Sequence, residues 1–338
     1  MAHSFHINHS HAHLKWSNAI PPVLRVPSGS EISFDLKDGG NNQIRPDNAA
    51  TALADFDFAQ TDPAFGPVHV EGAEPGDVLR VDILECTPGD YGWTAVLPGF
   101  GLLSDEFPEP SLKIWDLSDA ALLPARPGAG AGGSGVRRAV FKPGVSVPVR
   151  PFLGVIGIAP AEPGELSTIP PYARSGGNMD TRYLCPGTTL YLPVQVPGAL
   201  LSAGDGHAAQ GDGEVGGTAI ETPMRARLRL SVEKKAAGAA RYVAECPHYV
   251  TGPGSAAAGH ARDEEAGVHA ALGIHADPRE AARMALRGLI AWLVADKGLT
   301  RVEAYMLASV AASLKMTEVV DMPNFAVSCS LPLSCFDE

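Results

Sequence analysis

Carboxylates, an imidazole and glycines crowd into one stretch of this chain, Gly198 to Glu221, GALLSAGDGHAAQGDGEVGGTAIE. Asp205, His207, Asp212, Glu214 and Glu221 stand there among glycines and alanines, so polar groups ride on backbone that can bend sharply and approach a ligand closely. Carboxylate oxygens and imidazole nitrogens are donors that Zn²⁺ and similar divalent ions take, and Asp205 and His207, two apart, share one face of an extended strand. The competing reading is a solvated Gly/Asp turn, since D-G and G-D pairs are ordinary turn chemistry. Two ligands do not complete a site, and the others must come from elsewhere in the fold.

Other segments offer candidates. GGNMD, Gly176 to Asp180, sets an amide, Asn178, and a carboxylate, Asp180, after two glycines, a geometry suited to a ligand as well as to an Asx turn. Asp35 reads as a strand-end turn residue, and Glu71 as either a site acid or a surface strand acid. The opening segment is dense in histidine, with His11 and His13 spaced to share a strand face. The Gly- and Pro-rich TAVLPGFGLL reads as a loop over a pocket or a plain structural loop.

The elements that must position these groups are mostly strands. VLRVPSGSEISFDLKDGG alternates around a PSGS turn and predicts an antiparallel pair, as does FGPVHVEGAEPGDVLRVDI around EPGD. RLRLSVEKKAAGAARYVAEC predicts a third hairpin, while PARPGAGAGGSG and TGPGSAAAGHARDEEAG predict loops. Helix grammar appears near the C-terminus. Asp277 as N-cap, Pro278 at the first helical position and Glu280 open one helix, Gly298 stops it, and Thr300 with Glu303 opens a second over RVEAYMLASVAASLKM. The expectation is a mainly β (α+β) chain, 1–338 as one domain: β-rich over 1–250 in sandwich-like sheets, a helical hairpin over 277–316 packed on one side, and a final strand over 317–333.

With 338 residues and 45% hydrophobic content the chain can build a real core, and a net charge of -12 disfavours nucleic acid and anionic membrane as partners. Five scattered cysteines form no CxxC pair, which suggests neither a disulfide framework nor a thiolate zinc site and fits a reducing cytoplasm. The N-terminal segment has no apolar h-region, and apolar runs such as Leu289 to Ala295 are too short to span a bilayer. Strand edges and the apolar helix pair predict a homo-oligomer, a dimer in the simplest case.

Taken with PFLGVIGIAPA, PPYARSGGNMDTRYL, LYLPVQVPGALL and FGPVHVEGAEPGDVLRVDI, the Gly198–Glu221 stretch resembles the acetamidase/formamidase family over nearly the whole chain. The resemblance implies a β-sandwich-like fold that hydrolyses short amides to ammonia and a carboxylate, with hydrolysis of larger or cyclic amides, or a noncatalytic binding homologue, as alternatives. It places Asp38, in D-G-G-N-N-Q, near the site, and it matches His13, Trp16 and Asn18 to the family's opening. It also implies Asp38, Asp205, His207 and Glu221 as the metal environment, Glu214 with His207 in proton transfer, and Asn178, Asp180 and His13 toward substrate. The expected ion is Zn²⁺, with Ca²⁺ in a structural role as the alternative. Two departures stand out: Ser17 where the family usually has an acid, and Gly216 where it commonly has cysteine. With no Gly-x-Ser-x-Gly elbow and no thiol in the stretch, metal-assisted attack is favoured over a nucleophilic side chain.

Overall fold

The computed structural model describes residues 5–125, 136–235, 245–252 and 267–336, mostly β with two helices near the C-terminus. One sheet runs Phe5–Ile7, Ser30–Leu36, Met224–Glu233, Val78–Pro88, Thr188–Pro193, His248–Thr251, Val268–His275, Phe325–Pro332 and Ser313–Glu318. A second runs Pro171–Tyr172, Gly176–Asn178, Phe152–Gly157, Leu201–His207, Ala64–Val70 and Ala12–His13, with Leu24–Val26 also paired to Ala64–Val70. One apolar core takes Phe34, Val81 and Leu228 from the first sheet and Phe65, Phe152 and Leu201 from the second. Two sheets whose inner faces share a core form the expected sandwich.

The helices cover the outer face of the first sheet. In Val268–His275 the alternate residues Val268, Ala270, Leu272 and Ile274 point into the sandwich, while Ala271 faces helix α1, Pro278–Lys297. Gly273 lets that helix close in, because a Cβ there would stand 1.9 Å from the Ala281 carbonyl oxygen. The caps form as expected. Asp277 accepts from the N–H groups of Arg279 and Glu280, Gly298 ends α1 at φ 69°, and Thr300 and Glu303 close a reciprocal capping box on helix α2, Arg301–Ala311. No helix among the described residues is long and apolar enough to cross a membrane.

Several expectations fail. Leu24–Val26 and Ser30–Leu36 lie in different sheets, as do Ala64–Val70 and Val78–Pro88, while Met224–Glu233 pairs with Ser30–Leu36 and Val78–Pro88. PSGS and EPGD do reverse the chain, but they carry it from one layer to the other, because both flanking strands need a buried face. The second helix stops at Ala311 instead of 316, and Ser313–Glu318 pairs with the edge of Phe325–Pro332, whose ladder outweighs local helix propensity. The final strand therefore begins at Phe325, and 319–324 is a loop. PARPGAGAGGSG from 126, most of TGPGSAAAGHARDEEAG, and residues 236–244, which hold the Ala/Gly turn of the third expected hairpin and most of its second arm, lie outside the described residues.

Candidate active site

Strand Leu201–His207 runs through the middle of the second sheet, buried throughout, and delivers Asp205 and His207 to one pocket. His207 Nε2 lies 3.0 Å from Asp205 Oδ2, 3.1 Å from Glu221 Oε2 and 3.9 Å from Glu214 Oε1, and its Nδ1 lies 3.6 Å from Asp180 Oδ1. Asp321 and Asp62 complete an acidic lining. Asp62, Asp180, Asp205 and Glu214 all hold positive φ, between 41° and 54°, a conformation L-residues adopt only when their surroundings impose it.

Two glycines make room for these oxygens. A Cβ at Gly154 would meet Asp205 Oδ2 at 2.1 Å and Asp180 Oδ1 at 2.4 Å, and one at Gly39 would meet Asp205 Oδ1 at 2.4 Å and Glu221 Oε2 at 2.9 Å. The backbone of both neighbouring segments thus presses directly on the carboxylates.

The ring of His207 is oriented from behind. Gln210 Oε1 lies 2.9 Å from Nδ1, while Gln210 Nε2 donates to the Asp180 carbonyl, so the amide oxygen accepts Nδ1–H. Nε2 then faces Asp205 and Glu221, where a proton or a cation must stand between the nitrogen and the carboxylate oxygens. Atoms bound to one ion at roughly 2.0–2.1 Å lie roughly 3 Å apart, which matches the observed separations. Asp180 and Asp205 Oδ1 accept no hydrogen bond from a described donor, and neither Lys nor Arg is among the described lining residues. Ligand atoms converge in three overlapping sets: Asp180, Asp205 and His207; His207, Glu214 and Glu221; and Asp180, Glu214 and Asp321. These residues fit a divalent cation.

Electrostatics agree with that. Burial, reinforced by neighbouring carboxylates, lifts Asp62, Glu214 and Asp321 well above the usual carboxylate range, and burial raises Asp180 to about 8 and Glu221 to about 6. Burial alone would depress His207, but Asp205 and Glu221 raise it.

Asn178 Nδ2 donates to the Ile169 carbonyl and to Asp321 Oδ2, which leaves Oδ1 buried, without a described donor, on a residue that lines the pocket. Phe56, Phe58, Trp93, Leu97 and Phe100 wall the mouth, so the TAVLPGFGLL segment does cover a pocket. Its volume is about 40 Å³.

Not every candidate arrives. His13 sits on the outer strand Ala12–His13, with Nε2 2.8 Å from Ser202 Oγ and its ring edge-on to Trp16, and it does not line the pocket. Asp38 is buried behind the pocket, where Oδ1 accepts from the Asn42 N–H at 3.1 Å and burial raises it to about 7, but it is outside the converging sets. Glu71 is exposed, and Asp35 faces Arg225 on the surface. The reading from sequence missed Asp62, Asp321, Gly39 and Gly154. Only the last two carried a signal, as glycines within motifs already singled out.

The profile of the acetamidase/formamidase family matches residues 1–166 and 161–338. The acetamidase of Mycolicibacterium smegmatis is 30% identical over 253 residues, 60% of this chain and 61% of that protein. The formamidase of Methylophilus methylotrophus is 30% identical over 241 residues, 60% of this chain and 59% of that protein, so each match spans less than two thirds of the relative's length. The crystal structure of a Bacillus halodurans acetamidase superposes with a TM-score of 0.82 at 29% identity, covering 98% of both chains. With the profile matched from end to end and the fold shared over nearly every residue, this chain belongs to the acetamidase/formamidase family.

Proposed function

We propose that the protein is an amidohydrolase that cleaves short aliphatic amides such as formamide and acetamide to ammonia and a carboxylate, with a divalent cation in the acidic pocket. The observation that carries this reading is His207 Nε2 at 3.0 and 3.1 Å from two buried carboxylates, in a pocket of about 40 Å³ that admits a carboxamide head and little more. Family membership supports the reaction class. Asp180, Asp205 and His207 converge with donor atoms suited to Zn²⁺. When bound, such an ion supplies Lewis-acid polarisation of the carbonyl and activation of a water.

The chain's own groups do the rest. Asn178 Oδ1 accepts an N–H of the substrate amide and orients it. Glu214, buried beside His207, holds a proton on its carboxyl and passes it to the departing nitrogen, help worth about 10²–10⁴-fold. Gln210 keeps the His207 ring in place, and the aromatic wall excludes bulk water. No cysteine lines the pocket, in keeping with a mechanism without a thiolate.

Ammonia release from formamide and acetamide, by Zn²⁺-loaded and by chelator-stripped protein, tests the proposal. Activity is expected only in the loaded form, with Glu214→Gln lowering kcat by about 10²–10⁴-fold while metal content stays stoichiometric. A fully active Glu214→Gln enzyme refutes the proton donor, and metal-replete protein inert toward every short amide refutes the reaction.

A further inference from the structure

Beside the acidic pocket lies a wider cleft of about 460 Å³, and Glu214 and Thr218 line both. Trp115, Val147 and Ile220 give it apolar walls, and two arginines, Arg150 and Arg182, face it. Both are half-buried, and neither forms an ion pair among the described residues. Arg150 Nε is buried and donates to no described acceptor. Burial and the Arg182 charge both work against the positive charge of Arg150, yet a guanidinium stays protonated, so the pair is a positive site lacking its anion.

Both arginines are tied closely to residues of the acidic pocket. Arg182 follows Asp180 by two positions, and the Arg150 N–H donates at 2.8 Å to the carbonyl of Ala208, the residue after His207. At Gly216, which lines the cleft, a Cβ would meet nothing within 4 Å, so the turn between the two cavities leaves open space there. Asp212 also lines the cleft, accepting from the Tyr183 hydroxyl. With two carboxyl groups, Asp212 and Glu214, lining the same cleft, the arginine pair suits a monoanionic carboxylate better than a phosphate dianion.

We propose that this cleft is an anion subsite, and that the preferred amide bears a remote carboxylate gripped by Arg150 and Arg182 while its carboxamide enters the acidic pocket. The idea rests on the amidase reading and narrows its substrate class. Guanidinium forks bind carboxylates bidentately, which supplies geometry as well as charge. Hydrolysis of such a half-amide consumes water and yields ammonia and a dicarboxylate, which should in turn occupy the same cleft.

The test compares the half-amides of malonic, succinic and glutaric acid with neutral amides of matching length, using the metal-loaded enzyme. At least one half-amide should exceed its neutral counterpart in kcat/KM by roughly 10- to 100-fold, mainly through KM, and Arg150→Gln and Arg182→Gln should each erode that ratio. Arg182→Lys, which keeps the charge but not the fork, should keep part of the preference and serves if the Gln variant does not fold. A wild-type preference for the neutral amides, a preference that survives both substitutions, or tighter inhibition by orthophosphate than by succinate overturns the subsite. Calorimetric titration of malonate, succinate and glutarate separates this from the reaction itself. Binding that disappears in the arginine variants upholds the subsite even if no amide is cleaved, and no binding to the wild type refutes it even if acetamide is cleaved.

Discussion

Replacing Gly154 by alanine should disable the site through a single methyl group. The added Cβ would stand 2.1 Å from Asp205 Oδ2 and 2.4 Å from Asp180 Oδ1, where ordinary contact begins at 3.4 Å. The two oxygens must therefore withdraw by about 1 Å or more, since repulsion rises steeply inside contact distance. The strand cannot yield in their place, because Leu153, Val155 and Ile156 beside Gly154 are fully buried. Asp205 Oδ2 is the atom 3.0 Å from His207 Nε2, so its retreat opens the arrangement that should hold the ion. A misplacement of this size costs about 10²-fold in rate, and overpacking of this kind costs about 1–3 kcal/mol of stability. The assay is kcat/KM for acetamide together with metal content and a urea melt, with Gly211→Ala as control because a Cβ there meets nothing within 4 Å. Gly154→Ala protein that retains the wild-type rate and full metal content would refute the view that this glycine exists to admit the carboxylates.

Thiol chemistry should leave activity untouched: iodoacetamide should label native protein at exposed Cys335, since Cys86, Cys185, Cys246 and Cys329 are buried, and inactivation by that labelling would restore a thiol to the mechanism. Acid should destabilise the fold through His248 and His269, which burial holds at about 3 and well below the usual imidazole range. As pH falls below about 6.5 the unfolded chain takes up protons that the folded one refuses, so each histidine removes up to about 1.4 kcal/mol per pH unit, and His248→Gln should flatten the slope of urea stability against pH. An unchanged slope contradicts this. Self-association is expected through the outer face of α2, where Val302, Tyr305, Met306 and Val310 are exposed beside Leu314 and Met316 of the sheet's edge strand. Light scattering should show a dimer that Val310→Glu weakens, and a wild-type monomer at micromolar concentration excludes it.

What could be read in advance was local. Asp205 and His207 announce themselves by spacing on a strand, and the helix caps by residue types a few positions apart, because both depend on backbone within one turn or one pleat. Asp62 and Asp321 were illegible for the opposite reason. Each sits on irregular backbone that reaches the pocket only after the sheets have assembled, and Asp321 lies in VVDMPNFAV, which reads as a strand. Turn residues reported correctly that the chain reverses at PSGS and EPGD, but a turn says nothing about which layer the next strand joins. His13 was spaced for chemistry, yet the partner of its strand placed it against Ser202.

Because successive strands cross between layers, central strands of both sheets find hydrogen-bonding partners far away in the chain. Ser30–Leu36 pairs with Met224–Glu233, and the Glu31–Arg227 contact joins residues 196 positions apart. Loop closure over such separations must precede the reward of pairing, so the nascent chain has little to hold until its C-terminal half has emerged. Folding should accordingly be slow, late and nearly all-or-none, with unsatisfied strand edges open to aggregation in the interval. The amino-terminal half of this protein, expressed alone, would lack the central strand of its own sheet.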